Sequence, residues 1–268
     1  MRRITLFGLD ISDVQDTSLV VREMEKRLNK PDAAWLVTFV NPHSWFVRES
    51  NQDYTQYLED FDLVLADGIG VVKAAQWLSG DVIKRLSFDA SSLYHPVLSS
   101  LNERSSKLYV VGGHDGVAVS AAKKINERFP CVCLVGLSDG YRSWDKIITD
   151  VLRSEAETVL CGMGAPHQEA FLLALKKSGF KGVAFTCGGF LDQLAAKEQY
   201  YPVWIDAHNL RWAYRIYKEP RRLLQRYAFQ YQPFIKQTLA GLLRSTIQKA
   251  LPDGPARLVS SADIKPPL

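Results

Sequence analysis

Short apolar segments, each ending in a glycine or a polar residue and followed by helical periodicity, recur along most of this sequence. Ala34–Val40 (AWLVTFV) is almost continuously apolar, whereas a strand with one face in water would alternate apolar and polar residues. Such a run is typical of a strand in a parallel sheet that helices cover on both faces. The pattern therefore predicts an α/β fold around a parallel sheet. The predicted strands are Arg3–Ile11, Ala34–Val40, Asp62–Ala66, Lys107–Val111, Cys131–Val135, Thr158–Gly162 and Gly182–Cys187.

The predicted strands end in polar residues and glycines. Parallel sheets bind their ligands beyond the carboxyl ends of their strands, so these residues are expected to border a ligand site. They are Asn41, Asp67, Gly112–Gly116, Asp139, Gly162–Gln168 and Gly188–Asp192.

Two of these strand ends are glycine turns that open a helix. Gly112, Gly113 and Gly116 follow one strand, and Gly164 lies in the turn after another. In this position backbone N–H groups and a helix N-terminus can face a phosphate. The spacing differs from GxGxxG, which disfavours a nucleotide-linked oxidoreductase. Tight strand-to-helix turns also use glycine for its backbone freedom, so both interpretations of the turns stay open at this point.

Asp67 is the leading catalytic candidate, because it ends a buried strand and precedes a glycine-containing turn. A carboxylate there can project into a cleft and act as a general base, although an aspartate can equally cap the following helix. Asn41 could hydrogen-bond a substrate hydroxyl or could be a turn residue before Pro42. Arg85 could balance a leaving diphosphate or could be a solvated arginine. Asp192 has the same position relative to its strand as Asp67.

After Asp192 the strand pattern stops and a basic, aromatic segment follows. Within His208–Tyr227 (HNLRWAYRIYKEPRRLLQRY), cations recur at helical spacing along one side, and Pro220 divides the segment into two helices. One interpretation is a solvated basic face, and the other is a site for a phosphorylated ligand at or near a membrane. The cations of this segment are Arg211, Arg215, Lys218, Arg221, Arg222 and Arg226.

The composition is that of an ordinary soluble globular protein, with 47% hydrophobic and 23% charged residues and a net charge of +4 over 268 residues. No apolar run reaches the ~18 residues that a membrane span needs. The apolar run at the start of the chain meets Asp10 and Asp13 too early for a signal peptide, so a cytoplasmic protein is expected.

Cys131, Cys161 and Cys187 are expected to be buried, reduced thiols. The histidines form no HxH or HxxxH pair, which disfavours a metal site.

Several motifs, in order along the chain, resemble those of the WecG/TagA/CpsF family of bacterial glycosyltransferases. The most specific is LRWAYRIYKEPRRLLQRY at Leu210–Tyr227, whose W-x-x-R…E-P-R-R…R-Y string is rare by chance. The resemblance covers about residues 3–230. The other motifs are VNP (Val40–Pro42), ADGIGVV (Ala66–Val72), KR (Lys84-Arg85), VVGGHDGVA (Val110–Ala118), SDGY (Ser138–Tyr141), GMGAPHQE (Gly162–Glu169) and GGFLD (Gly188–Asp192).

The resemblance implies an inverting, metal-independent and cofactor-free enzyme that moves a sugar from a UDP-sugar to a polyprenyl-diphosphate-linked saccharide. The donor would be of the UDP-glucose or UDP-N-acetylmannosamine/uronate type, and the product would serve exopolysaccharide or cell-envelope polymer synthesis. The enzyme would act peripherally on the inner face of the cell membrane. It would have no nucleic-acid partner, and whether it forms a homo-oligomer stays open. The alternative is a non-catalytic membrane or RNA-binding module built on the basic segment.

Carried over motif by motif, the proposed family base falls on Asp67, with Asn41 and Arg85 as further catalytic residues. Combined with the strand-end turns, the expected donor site comprises Gly112, Gly113, Gly116, Asp139, Gly164, Gln168 and Asp192. The expected site for the acceptor diphosphate comprises Arg211, Arg215, Arg221, Arg222 and Arg226.

The sequence departs from the family pattern near the expected sugar site. Phe39 stands where a threonine is common, with Thr38 one residue off, and His167 replaces a common lysine. The resemblance implies a Rossmann-like catalytic core at 1–196 and a basic, aromatic helical appendage at 197–250 that binds membrane or acceptor. The proline- and serine-rich tail at 251–268 is predicted to be disordered.

Overall fold

The computed structural model describes residues 2–197, 202, 204–205, 210–218, 220 and 226–250 of the chain. At 211, 212, 215, 218, 226, 227 and 245–250 it describes the backbone alone. Two of the predicted diphosphate ligands, Arg221 and Arg222, lie outside the described residues, as does the tail predicted to be disordered.

The described strands form a central six-stranded sheet and a separate two-stranded one. They are β1 (Arg3–Leu6), β2 (Leu9–Ser12), β3 (Trp35–Val40), β4 (Leu63–Ala66), β5 (Lys107–Gly112), β6 (Cys133–Ser138), β7 (Thr158–Gly162) and β8 (Val183–Thr186). In the central sheet the order is β4-β3-β8-β7-β5-β6, and every neighbouring pair is parallel. This arrangement confirms the predicted α/β class with a Rossmann-like core.

Helices alternate with the strands, as the periodicity of the sequence predicts. They are α1 (Thr17–Asn29), α2 (Pro42–Ser50), α3 (Tyr54–Glu59), α4 (Ile69–Ser79), α5 (Tyr94–Glu103), α6 (Val117–Arg128), α7 (Trp144–Arg153), α8 (His167–Lys177), α9 (Phe190–Ala196), α10 (Arg211–Lys218), a π-helix (Arg226–Gln230) and α11 (Gln232–Ala250). None of these described helices combines the length and the apolarity that a bilayer crossing needs.

Alternate residues of the inner central strands face opposite layers of helices, which is why these strands are largely apolar. In β3, Leu36 and Val40 pack into a cluster with α2, α3, α4, α7 and α8. Trp35 and Val37 pack on the other side, with α1, α5, α6 and α9. Because helices cover both faces, the carboxyl ends of the strands are the accessible place for polar chemistry.

The first predicted strand, Arg3–Ile11, is wrong in one respect, because it is a hairpin rather than a single strand. β1 and β2 pair antiparallel across a turn at Phe7 and Gly8, whose φ angles are 49° and 77°. Positive φ at both central residues is the geometry of a type I′ hairpin turn, which glycine adopts without strain.

The cysteines follow the predicted burial only in part. Cys161 is buried and Cys187 is partly buried, but Cys131 and Cys133 are exposed. The strand predicted at Cys131–Val135 begins only at Cys133, so Cys131 lies before the sheet. All of these cysteines are free thiols.

Helix α11 packs against the core. Phe234 is buried, with its ring centroid 4.8 Å from that of Trp45 in α2 and 5.9 Å from that of Phe7. Gly241 lies so close to α4 that an added Cβ would approach Leu78 Cδ2 to 2.7 Å. The division into a core ending at 196 and an appendage stays a prediction, and the described end of the chain is held to that core by buried contacts.

Candidate active site

Loops at the carboxyl ends of the central strands surround a cleft of about 1860 Å³. Ligand pockets for small molecules are usually ~300–1,000 Å³, so this cleft has room for two substrates side by side. It is also lined at the junction of the π-helix and α11, by Gln230, Tyr231, Phe234 and Ile235. Of the residues predicted for the site, the cleft is lined by Asn41, Asp67, Arg85, Gly113, Gly164, Gln168 and Asp192.

Asp67 meets Arg85 in this cleft. Arg85 Nη2 lies 3.4 Å from Asp67 Oδ1 and 2.7 Å from Asp89 Oδ2, and it donates to Ser87 Oγ at 2.7 Å. The Asp67 side chain is 34% exposed and that of Arg85 is 23% exposed, so both reach the open space of the cleft. The carboxylate can accept a proton, and the guanidinium can balance a developing anion.

Backbone hydrogen bonds bring the two residues together although 18 positions separate them in the chain. The N–H of Asp67 donates to Val40 O at 2.8 Å, which continues the pairing of β3 and β4 past the last strand residue. The N–H of Leu86 donates to Ala66 O at 2.9 Å and holds the following segment beside β4. Asp67 and Arg85 are therefore fixed to the same corner of the sheet.

Asn41 lines the cleft and also has the structural role that its position before Pro42 suggested. It is the N-cap of α2, where its Oδ1 accepts from the N–H of His43 at 3.0 Å. Ser44 Oγ in turn accepts from the N–H of Asn41 at 3.1 Å, which completes a capping box. The cap orients Asn41 at the end of β3, and its contact with substrate stays a prediction.

The glycine turns have unequal positions relative to the cleft. Gly113 and Gly164 line it, with φ angles of 69° and 77°, whereas Gly112 and Gly116 do not. Gly112 is instead packed against β7, where an added Cβ would lie 2.4 Å from Gly162 O. Gly113 is packed as well, because an added Cβ would lie 2.4 Å from Val117 Cγ1. Gly164 has open space at that position and offers the backbone that a ligand can approach.

Asp139, a predicted donor-binding residue, does not line the cleft. Its Oδ1 accepts from the N–H groups of Tyr141 at 2.8 Å and Arg142 at 3.0 Å. This is the hydrogen-bonding pattern of an aspartate that shapes a turn. Asp139 positions the loop after β6, and the loop residues that follow it face the cleft.

Gln168 lines the cleft from the start of α8 and is almost fully buried. Its Oε1 accepts from the N–H of Gly188 at 3.1 Å, and its Nε2 donates to Glu169 Oε1 at 2.9 Å. The same Glu169 oxygen accepts from Thr38 Oγ1 at 2.8 Å. Thr38 is therefore engaged beneath the cleft, while Phe39 lines it.

Glu169 is a fully buried carboxyl group behind the cleft. Its Oε2 has no hydrogen-bond partner among the described residues. Burial raises the pKa of this carboxyl group, against the lowering effect of the bonds from Gln168 and Thr38. A neutral carboxylic acid is the form that such surroundings favour.

His114 and Tyr141 form a stacked pair on the cleft wall that the sequence did not single out as a site. Their ring centroids are 4.8 Å apart with an interplanar angle of 16°, and Tyr141 OH lies 3.4 Å from His114 Nε2. Both are exposed, Tyr141 at 74%. An exposed planar surface of this kind is suited to stacking with a nucleobase. The available signal was a histidine two residues after β5 and a tyrosine three residues after β6.

Asp192 and the arginines of the basic segment are the remaining residues predicted for the site. Asp192 is exposed, lines the cleft and lies in the first turn of α9. Arg211 and Arg215 belong to α10 and Arg226 begins the π-helix, with backbone alone described. Among the residues that the structure describes, no three His, Cys, Asp or Glu side chains are grouped as ligands of a metal ion.

Known proteins similar to this chain are glycosyltransferases. The model of the glycosyl transferase WecG/TagA/CpsF family matches residues 4–248. A UDP-Gal:α-D-GlcNAc-diphosphoundecaprenol β-1,4-galactosyltransferase of Shigella boydii is 31% identical over 220 residues, which is 80% of this chain and 89% of that protein. An N-acetylglucosaminyldiphosphoundecaprenol N-acetyl-β-D-mannosaminyltransferase of Bacillus subtilis (strain 168) is 26% identical over 200 residues, 74% of this chain and 77% of that protein.

Proposed function

The chain belongs to the WecG/TagA/CpsF family of glycosyltransferases, and from that premise we propose that it transfers a sugar from a UDP-sugar to a polyprenyl-diphosphate-linked saccharide. The observation that supports the proposal is the arrangement of groups in the cleft. The Asp67 carboxylate and the Arg85 guanidinium lie at one end, and the exposed stacked rings of His114 and Tyr141 lie on another part of the wall. The names of two relatives add an acceptor, N-acetylglucosamine on diphosphoundecaprenol. The reaction supplies one step of an exopolysaccharide or cell-envelope polymer.

In the proposed reaction an acceptor hydroxyl oxygen attacks the anomeric carbon on the face opposite the leaving UDP, which inverts the configuration. The new C–O bond forms as the bond from the anomeric carbon to the diphosphate oxygen breaks, and that electron pair leaves with UDP. Asp67 accepts the hydroxyl proton as general base. Arg85 stands 3.4 Å from Asp67 and stabilises the charge that develops on the leaving group, so the chemistry needs no metal ion.

The donor is proposed to lie over the β5–β7 end of the cleft. The uracil ring stacks on the surface formed by Tyr141 and His114, which is exposed to the cleft. Open space at Gly164 lets the ribose and the first phosphate approach the backbone closely, and the second phosphate extends towards Arg85. Asp192 is available to accept from ribose hydroxyls. This placement directs the anomeric carbon towards Asp67, at the other end of the cleft.

The acceptor diphosphate is proposed to bind arginines of the basic segment, since guanidinium groups pair well with phosphate oxygens. The described residues closest in sequence support the location, because Gln230, at the end of the π-helix that Arg226 begins, lines the cleft together with Tyr231, Phe234 and Ile235. The proposed residues are Arg211, Arg215, Arg221, Arg222 and Arg226.

The outer face of α11 is proposed to contact the inner surface of the cell membrane. Ile235, which also lines the cleft, recurs with Leu239 and Leu243 every four residues, and the three are 47%, 56% and 65% exposed. The exposed cations Lys236 and Arg244 lie on the same helix. Apolar side chains flanked by cations are typical of a helix lying in the headgroup region. Replacing the three aliphatic residues with serine should release the protein from anionic liposomes; unchanged co-sedimentation would contradict this membrane contact.

The donor sugar is proposed to be galactose, because the galactosyltransferase is the more similar of the two relatives compared above. The test is release of UDP and formation of a disaccharide lipid from N-acetylglucosaminyl-diphosphoprenol, with UDP-galactose, UDP-glucose and UDP-N-acetylmannosamine in parallel. We expect turnover in EDTA with one of these donors and a β-linked product. No turnover with any donor, together with salt-sensitive retention of RNA, would favour the non-catalytic binding module instead.

A further inference from the structure

Arg85 lies between two carboxylates and holds them unequally. Its Nη2 is 2.7 Å from Asp89 Oδ2 but 3.4 Å from Asp67 Oδ1. The first distance is that of a strong charge-assisted hydrogen bond, and the second is at the outer limit of one. The guanidinium is thus anchored on Asp89 and only loosely joined to the residue proposed as the base.

Asp89 is itself held firmly. Its Oδ2 accepts from Ser87 Oγ at 2.6 Å, and its Oδ1 accepts from both the N–H and the Oγ of Ser91, at 2.9 and 2.8 Å. Its side chain is 14% exposed, against 34% for Asp67. Ser87 Oγ also accepts from Arg85 Nη2 at 2.7 Å, so it connects the anchor to the guanidinium. Asp67 is the more exposed carboxylate and has the longer contact with Arg85.

We propose that Asp89 is a positioning residue, which fixes the Arg85 guanidinium at the cleft so that a phosphate oxygen of the donor displaces Asp67 from it. Diphosphate and Asp67 compete for one face of the guanidinium, and the donor's arrival frees the carboxylate to take the acceptor proton. The inference rests on the proposed function, because it requires a diphosphate-bearing donor in this cleft. By linkage, whatever weakens the Asp67 contact with Arg85 must strengthen donor binding.

The experiment compares two isosteric substitutions that each remove one negative charge from the same guanidinium, Asp67→Asn and Asp89→Asn. UDP affinity is measured by titration calorimetry on the full-length protein. We expect Asp67→Asn to bind UDP roughly fivefold tighter and Asp89→Asn to bind it roughly fivefold more weakly. Removal of charge alone would tighten binding in both variants, so tightening in both, or no change in either, overturns the proposal.

A second pair of measurements separates competition at Arg85 from the general field of the cleft. In an Arg85→Gln background, Asp67→Asn should lose its effect on UDP affinity, because no guanidinium remains to be shared. An effect of the same size with and without Arg85 would overturn the proposal. Ser87→Ala keeps every charge and loosens the anchor, so it should weaken UDP binding in the same direction as Asp89→Asn, and it replaces that variant if Asp89→Asn does not fold.

UDP binding and sugar transfer together distinguish the role of Asp89 from the proposed function. A wild-type protein that binds UDP while the two aspartate variants change affinity in the same direction overturns the role of Asp89 and leaves the glycosyltransferase proposal intact. A wild-type protein that does not bind UDP but transfers sugar from another nucleotide donor overturns the proposed UDP donor, and the cycle is then repeated with the diphosphate of that donor.

Discussion

The two ends of the cleft are lined by different kinds of chemical group. At the β3–β4 end, charged and polar side chains contact one another, as in the group formed by Asp67, Arg85 and Asp89. At the β5–β7 end, Gly113 and Gly164 expose backbone, and the side chains that reach the cleft nearby are the stacked rings of His114 and Tyr141. Both ends belong to the same parallel sheet and the same edge of it.

The difference separates chemistry from binding. A reacting proton needs a carboxylate held at a defined position, which the hydrogen bonds around Arg85 provide. A nucleotide needs a surface that it can approach closely, and that requires the absence of side chains more than the presence of any one group. Substitutions at the β3–β4 end should therefore change turnover most, beside the smaller changes in UDP affinity expected at Asp67 and Asp89. Substitutions at the β5–β7 end should change folding or affinity and leave turnover nearly unchanged.

The largest effect is expected for Asp67→Asn, which removes the proposed base and keeps its shape. The turnover number should fall by roughly 10²-fold or more, while the unfolding midpoint stays near that of the wild type. Asp53→Asn makes the same chemical change at an exposed position outside the cleft and serves as the control. Near-normal turnover of Asp67→Asn would show that Asp67 is not the base. It would also contradict the assignment of the reaction to the β3–β4 end of the cleft.

At the glycine end we expect a cost in stability from Gly112→Ala. The new methyl would meet Gly162 O, 2.4 Å from an ideal Cβ position, at a φ of 140°. Overpacking and strain together should lower the free energy of unfolding by roughly 2–3 kcal/mol in urea denaturation. Gly164→Ala is the matched variant, with positive φ but open space around its Cβ, and should cost about 1 kcal/mol. Equal losses would mean that close packing against β7 is not what requires glycine at 112.

A smaller effect is expected for Tyr141→Ala, which removes one ring of the stacked pair. Loss of stacking with uracil should weaken UDP binding by about 1 kcal/mol, or roughly fivefold, with the turnover number little changed. Tyr141→Phe keeps the ring and should bind UDP nearly as the wild type does. If the alanine variant lowered turnover and left affinity unchanged, the assignment of binding to this end would be wrong.

The smallest effect concerns Glu169, behind the cleft, and it depends on pH. Burial raises the pKa of its carboxyl group above the usual 4.5, so in the folded state it keeps a proton that the unfolded chain releases. Its contribution to stability is full below pH 4.5 and is lost as pH rises through the folded-state pKa. Glu169→Gln is neutral at every pH, so its stability relative to the wild type should increase as pH rises above 4.5 in urea denaturation. A difference that is constant with pH would contradict a raised pKa.

Local sequence patterns predicted the parallel sheet and most of the residues at its edge, because a strand buried on both faces must be apolar and its end must carry the first polar group. Asn41 and Asp67 are of this kind. The same reasoning could not separate Gly112 from Gly113, because one is packed against β7 and the other faces the cleft, and that depends on the neighbour. Asp139 was predicted to bind the donor, and the structure shows it shaping a turn.

What the sequence determined by itself is the succession of strands, turns and helices, since propensity, periodicity and glycine positions act within a few residues. Only the tertiary structure decided which strand ends lie together. The order β4-β3-β8-β7-β5-β6 places β8 beside β3, which is distant from it in the chain, and the pairing of β5 with β6 brings the loops carrying His114 and Tyr141 together. Strand order follows from the packing of helices on two faces, and that packing is a property of the whole chain. The contact of Arg85 with both Asp67 and Asp89 could therefore be seen only in the tertiary structure.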